Sequence, residues 1–353
     1  MMTEFEPPLQ ARSGKPLALT MGDPAGIGPE LLAQVFRLRP EWSSRCVVVG
    51  HLPTLRRAVL ATGGLLPVAV LASPAEAQHL PPRCLPLLPT AQGQEHAPAW
   101  GQISAQAGRM AAEAIAYGAQ LALQGQVSGL VTAPIHKEAL AAAGIVHPGH
   151  TEYLQALAAG HAACSPVDLP VRMMLSNQEL RTVLVSIHVS LRNALAAVTY
   201  DNVLRTLEIT VKHFQRLPAW QGRPLRIAVA GLNPHAGEGG LFGTEEQEVL
   251  APVVQQARAL GWQVSGPHAP DTVFMRARRG EFDVVIAMYH DQGLIPVKYM
   301  GLDHGVNTTL GLPFVRTSPD HGTAFDLAGT GRADPSSLVA AIEAAMAATE
   351  PAP

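Results

Sequence analysis

The chain has 353 residues, 47% of them hydrophobic and 15% charged, with a formal net charge of -3. That length allows two domains or one large domain with an insertion. The small negative balance provides no global basic field, which excludes bulk electrostatic binding to nucleic acid or an anionic membrane, so any phosphate recognition must be local.

Residues 1–14 read as a disordered arm, polar and without the apolar core of a signal segment. Pro16 to Met21 reads as a strand, followed by the Gly/Pro-rich Gly22-Asp-Pro-Ala-Gly-Ile-Gly-Pro-Glu30 and a helix opened by Pro29 and running to Leu38. A strand at 45–50 and a helix at 52–62 come next, then a Pro/Gln/Ala-rich stretch, 73–100, of loops and short strands. A long Ala-rich helix spans Ser104 to Gln124, then a strand 128–133 and a helix ending at Ala143. Beyond it the pattern predicts a helix 153–163, strands 171–176 and 181–188, and one helix from Leu191 to Arg216. A strand 225–232, a Gly-rich loop 236–243 and a helix Thr244–Leu260 closed by Gly261 follow. A short strand 262–264, a helix 271–279 and a strand 283–289 lead to a loop-rich region after Gly301 and a final helix, Pro335 to Ala348. Strands alternating with helices indicate an α/β fold with largely parallel pairing. Cys46, Cys84 and Cys164 are far apart and read as buried free thiols in a reducing compartment. With no apolar run near the ~20 residues of a membrane span, the expectation is a cytoplasmic protein without a membrane partner.

Three apolar runs each close on a histidine: Arg181-Thr-Val-Leu-Val-Ser-Ile-His188, Leu225-Arg-Ile-Ala-Val-Ala-Gly-Leu-Asn-Pro-His235 and Asp283-Val-Val-Ile-Ala-Met-Tyr-His290. Ligands of open α/β sheets bind outside the carboxyl ends of the strands. Three imidazoles delivered there make a metal site with an open position. Singly, each reads better as an ordinary surface histidine; the shared position on three strands is what raises the metal reading. Asp291 is a candidate ligand or a carboxylate that orients His290. Gly149-His-Thr-Glu152 precedes a helix and suits a phosphate or carboxylate, or is simply an N-cap at Thr151. His136 and Lys137 follow the 128–133 strand in the same way. Lys298, Asn307 and Arg316 are separated polar residues that either hold an anionic substrate or sit as surface groups. The 22–30 glycine loop lacks Rossmann spacing, has two prolines without amide donors, and has Val49-Gly50-His51 where an acidic residue would be needed, so it reads as a tight turn.

The islands Met21–Glu30, Val131-Thr-Ala-Pro-Ile-His-Lys137, Gly149–Glu152, Gly231-Leu-Asn-Pro-His-Ala-Gly-Glu-Gly-Gly240, Tyr289-His-Asp-Gln-Gly293 and His321-Gly-Thr-Ala-Phe-Asp-Leu-Ala-Gly329 together resemble the PdxA family, the 4-hydroxythreonine-4-phosphate dehydrogenases of pyridoxal 5′-phosphate biosynthesis. The resemblance runs in order from about residue 16 to 347. The 321–329 segment also resembles the NAD-contacting loop of isocitrate and isopropylmalate dehydrogenases. The resemblance implies two α/β/α domains with a mostly parallel mixed sheet, isocitrate/isopropylmalate dehydrogenase-like. The first would span 15–145, completed by 306–350, and the second 146–305 would carry the metal ligands.

It further implies one divalent ion (Zn, Mg or Co) on His188, His235 and His290, and substrate contacts at His150, Thr151, Lys298, Asn307 and Arg316. NAD(P) would meet His321, Gly322 and Asp326, without a Rossmann unit. Lys298 and Asp291 are the implied catalytic groups, with Asp271 a further candidate base. The implied reaction is oxidation and decarboxylation of 4-phosphooxy-L-threonine to 3-amino-2-oxopropyl phosphate, in a homodimer whose partner subunit completes the site. Paralogues acting on 4-phospho-D-threonate or D-erythronate phosphate share these motifs, and a three-histidine metal hydrolase is the rival from another class. The His147-Pro148 pair and the 73–100 stretch depart from the family pattern.

Overall fold

The computed structural model describes residues 14–90, 96–301 and 304–350. The arm expected at 1–14 falls almost wholly outside the described residues, as does part of the 73–100 stretch. In chain order the elements are β1 (Leu17–Thr20), α1 (Gly28–Leu38), β2 (Cys46–Gly50), α2 (Leu52–Ala61), β3 (Val68–Val70), β4 (Leu85–Pro89), α3 (Ala105–Leu123), β5 (Gly129–Thr132), α4 (Lys137–Ala142) and α5 (His150–His161). They continue as β6 (Arg172–Ser176), β7 (Arg181–Leu184), α6 (Leu191–Ala197), α7 (Tyr200–Arg216), β8 (Ile227–Ala230), α8 (Ala251–Ala259), β9 (Val264–His268) and α9 (Pro270–Arg278). The last are β10 (Val284–Ala287), α10 (His290–Tyr299), β11 (Val306–Leu310), β12 (Val315–Pro319) and α11 (Ser336–Thr349).

The chain divides into two compact units, residues 1–170 with 312–353, and 171–311. In the first, the strand order is β3-β4-β2-β1-β5-β12 and every pairing is parallel. Its central strands are buried along their whole length, as strands covered on both faces must be. In the second the order is β11-β6-β7-β10-β8-β9, antiparallel at β11-β6-β7 and parallel beyond. The sheets are thus mostly parallel and mixed, as expected. Residues 146–170, expected with the second domain, group with the first unit, where α5 packs on α3. Residues 306–311 group with the second because β11 pairs with β6.

Four local expectations are corrected. The single helix 191–216 is two, since Ser190 and Thr199 each cap a separate start through Asn193 N–H and Asn202 N–H. The region after Gly301 is not loop-rich: Val-Asn-Thr-Thr-Leu and Val-Arg-Thr-Ser-Pro form β11 and β12, Thr-rich strands hidden among glycines and prolines. Residues 290–299, given no element, form α10, whose interior Pro296 disguises it. Cys46 and Cys84 are buried, but Cys164 is exposed. No helix of the described residues is long and apolar enough to cross a membrane.

Candidate active site

β7, β10 and β8 are immediate parallel neighbours in the second unit. His188, His290 and His235 follow their carboxyl ends, so the expectation of one shared edge holds in the topology. The His188 and His290 rings lie 5.6 Å apart between centroids. The segments that follow these strands are tied by side chains. Ser186 Oγ donates to the Met288 carbonyl at 2.9 Å. Gln292 accepts from Met288 N–H and donates to the Gly231 carbonyl, both at 2.7 Å, linking the ends of β10 and β8.

His235 stands in a left-handed turn. His235, Ala236, Gly237, Glu238 and Gly239 all have positive φ, from 43° to 81°. Each non-glycine residue in that region costs about 1 kcal/mol or more. The buried Glu246 carboxylate offsets this by accepting from Leu232 N–H and Asn233 N–H at 2.8 Å and from the Asn233 amide at 2.9 Å. Gly231 is required here, since a Cβ would stand 2.9 Å from Ala236 Cα. His235 Nδ1 lies 3.0 Å from Glu238 Oε2, and His290 Nδ1 lies 2.7 Å from Asp291 Oδ1. With Nδ1–H donating to the carboxylate, Nε2 is the nitrogen left for a metal in both rings. No group of three His, Cys, Asp or Glu side chains among the described residues stands in ligating arrangement. Imidazole nitrogen is the donor type that Zn and Co favour.

Lys298 occupies the last turn of α10, the end at which a cation is favoured by the helix dipole. Asn307 lies on β11 with its Oδ1 buried and lacking a hydrogen-bond partner. Asp271 is exposed in the first turn of α9.

The first unit holds the other residues. Arg316 on β12 is 2% exposed and donates to Thr132 Oγ1 at 2.6 Å, which corrects the surface-charge reading. Burial lowers its guanidinium to about 10, opposed by the Glu152 charge. His150 opens α5; its Nε2 is buried without a partner, and burial, then Arg316, push its pKa well below the usual value. It is therefore a neutral imidazole beside a fixed cation. The N-cap is Gly149, not Thr151, so the capping reading of Thr151 fails. His321, Gly322 and Asp326 lie exposed on the loop after β12. That loop packs on the 22–30 turn. Ile27 N–H donates to the Thr323 carbonyl at 3.1 Å. The fully buried Glu30 accepts from Gly331 N–H at 2.7 Å and from Gly329 N–H. His136 stacks on Phe325, with centroids 4.8 Å apart, while Lys137 is exposed at the start of α4.

A family model described as "Pyridoxal phosphate biosynthetic protein PdxA" matches residues 42–345. The chain belongs to the PdxA family. A PdxA-type relative from Beijerinckia indica subsp. indica, named 4-hydroxythreonine-4-phosphate dehydrogenase, is 49% identical over 339 residues, covering 96% of either chain. A Salmonella typhimurium relative named D-threonate 4-phosphate dehydrogenase is 42% identical over 335 residues, covering 94% of this chain and 98% of its own. The crystal structure of 4-hydroxythreonine-4-phosphate dehydrogenase from Klebsiella pneumoniae superposes with a TM-score of 0.85 at 41% identity, covering 96% of this chain and 99% of that one. Within the PdxA motifs, sequence reasoning missed the roles of Gln292, Glu246 and Glu30. Each is a polar residue inside or beside a glycine-rich island, and that placement was the available signal.

Proposed function

We propose that this chain oxidises 4-phosphooxy-L-threonine with NAD(P) and a divalent metal, with loss of CO2, to give 3-amino-2-oxopropyl phosphate. The observation that carries the reading is the delivery of His188, His290 and His235 to the ends of three adjacent strands in a PdxA-family chain. A bound ion would lower the pKa of the substrate alcohol, and the nicotinamide would accept hydride from its carbon. His188, His235 and His290 would hold the ion through ring nitrogens, a donor set that suits Zn or Co better than the oxygen-seeking Mg. Asp291 and Glu238 fix the ring orientation rather than ligate.

Arg316 supplies a permanent cation for an anionic end of the substrate, and its burial makes that attraction stronger than at a surface. His150 and Thr151 add hydrogen bonds beside it without adding charge. Lys298 offers a second cation and a proton-transfer group, and Asn307 Oδ1 an acceptor for the substrate amine. Asp271 is the weaker candidate base, being exposed. The 321–329 loop would take the dinucleotide through His321, Gly322 and Asp326. Exposed Val189, Leu191 and Leu195 beside His188, and Leu241 and Phe242 beside His235, suit a homodimer in which a partner subunit covers this rim.

A second reading, oxidation of 4-phospho-D-threonate, is favoured by the 42% identical relative of that name. One assay separates the two: NADH absorbance with each phosphate in turn, with and without chelator. Chelator-sensitive reduction with the amino acid phosphate is expected. Reduction with the sugar-acid phosphate alone would move the chain to the second reading. His235→Ala should lose metal and activity yet keep its circular dichroism; a metal-free, fully active variant would overturn the metal assignment.

A further inference from the structure

Asp23 is 0% exposed, and one of its oxygens, Oδ1, accepts from Ala25 N–H at 2.8 Å. Its other oxygen, Oδ2, is buried and has no hydrogen-bond partner. His136 Nδ1 is buried and unpartnered as well. Idle polar atoms in a folded interior are costly, on the order of 1–3 kcal/mol each, and native structures rarely keep them without a use. The two groups belong to one place. Asp23 N–H donates to the Pro134 carbonyl at 2.9 Å, two residues before His136; burial raises the Asp23 carboxyl above its ordinary value, opposed first by the Ala25 N–H and then by the neighbouring His136. The approach depends on Gly22, where φ is +71° and a Cβ would stand 2.3 Å from Pro134 O. The His136 ring lies against Phe325 of the 321–329 loop.

Two features select the ligand. A carboxylate repels phosphate, which excludes an anion. A ribose diol would call on both oxygens, whereas Oδ1 already holds Ala25 and only Oδ2 is idle. One acceptor beside one imidazole N–H matches a group that donates and accepts at neighbouring atoms, a primary carboxamide. Position selects which end of the dinucleotide this is. β1, β5 and β12 are neighbours, and Thr132, which holds Arg316, stands four residues before His136. Hydride transfer requires the nicotinamide to reach within about 3–3.5 Å of the substrate carbon. The end of the dinucleotide beside the Arg316 cation is therefore the nicotinamide, and the exposed His321 and Gly322 are left for the adenosine end.

We infer that Asp23 and His136 seat the nicotinamide carboxamide, Asp23 Oδ2 accepting from its NH2 and His136 Nδ1 donating to its carbonyl. The inference rests on the NAD(P) reading above. Calorimetric titration without substrate tests it, using NAD, NADP, 3-acetylpyridine adenine dinucleotide (which lacks the carboxamide N–H) and ADP-ribose (which lacks the ring). The wild type should prefer NAD to the acetylpyridine analogue by about 10-fold or more, the worth of a hydrogen bond to a charged group. Asp23→Asn, whose oxygen stays with Ala25, should shrink that preference to about twofold or less with ADP-ribose affinity unchanged. His136→Phe, which keeps the stack on Phe325, should weaken NAD about 10-fold and spare ADP-ribose; it decides the matter if Asp23→Asn does not fold. Full discrimination retained in both variants would overturn the carboxamide seat while leaving NAD(P) binding intact. Equal loss of ADP-ribose would overturn it in favour of a structural or ribose role. A wild type that binds neither NAD nor NADP would sink the cofactor reading and this inference with it.

Discussion

The two units present their candidate residues in opposite ways. In the first, the charge is built into the sheet: Arg316 stands on a strand, is 2% exposed and is held by Thr132 from the adjacent strand. In the second, the histidines stand beyond the strand ends, His290 at the start of α10 and His235 on a left-handed turn with its side chain 61% exposed. The difference follows from the chemistry each group suits. A fixed cation gains strength from a dry, rigid setting, because attraction rises as the dielectric falls. Under the proposed metal role, ligands would have to keep their nitrogens open and accept small shifts, which suits segments pinned at a few points by Ser186, Gln292 and Glu246.

The largest expected effect tests the rigid side. Arg316→Met should lower kcat/KM for the phosphorylated substrate by about 10^3, within the range for truncating a buried charge partner. Its metal content should match the wild type by elemental analysis. A loss of less than tenfold would mean the buried cation does not face the substrate and would dissolve the contrast between the units.

Acid should strain both units. His150 is held neutral in the first by burial and the Arg316 charge; in the second, His213 on α7 is pushed to about 4 by burial and then Arg216. Both protonate in the unfolded chain near the ordinary value of 6.5 while the fold resists. The contribution of each is therefore complete above that value and is lost below it, for His213 as pH drops towards about 4. For His213 the loss should reach up to about 3 kcal/mol. Urea unfolding of wild type and His213→Gln at neutral and acid pH checks this; parallel losses would remove His213 as a cause.

The smallest effect tests the pinned side. Asp291→Asn keeps the shape beside His290 but weakens the hold on Nδ1, so metal affinity should fall about 10–100-fold. Activity should return at saturating metal, as followed by titration into the apo-protein. Failure to recover with saturating ion would show that Asp291 takes part in the chemistry itself rather than orienting His290.

Much of this was legible in the chain. Apolar runs closed by His188, His235 and His290 were visible because strand residues are contiguous, and the glycine-rich islands marked the family motifs. Arg316 and Asn307 were visible only as isolated polar residues. Their strands are short, Thr-rich and set among Gly and Pro, so neither alternation nor β-branched runs disclosed them. Burial of a charge cannot be read locally, because it depends on which strands flank it, and β12 lies beside β5 from nearly two hundred residues earlier. The 22–30 turn was read as no more than a turn, since nothing in its spacing shows that Asp23 meets His136 or that Glu30 clasps 329–331. The sequence by itself determined the strand-helix alternation, the family motifs and the three strand-end histidines, all properties of neighbouring residues. Only the tertiary structure decided which polar atoms lie dry and unpaired, because that depends on segments far apart in the chain being packed against one another.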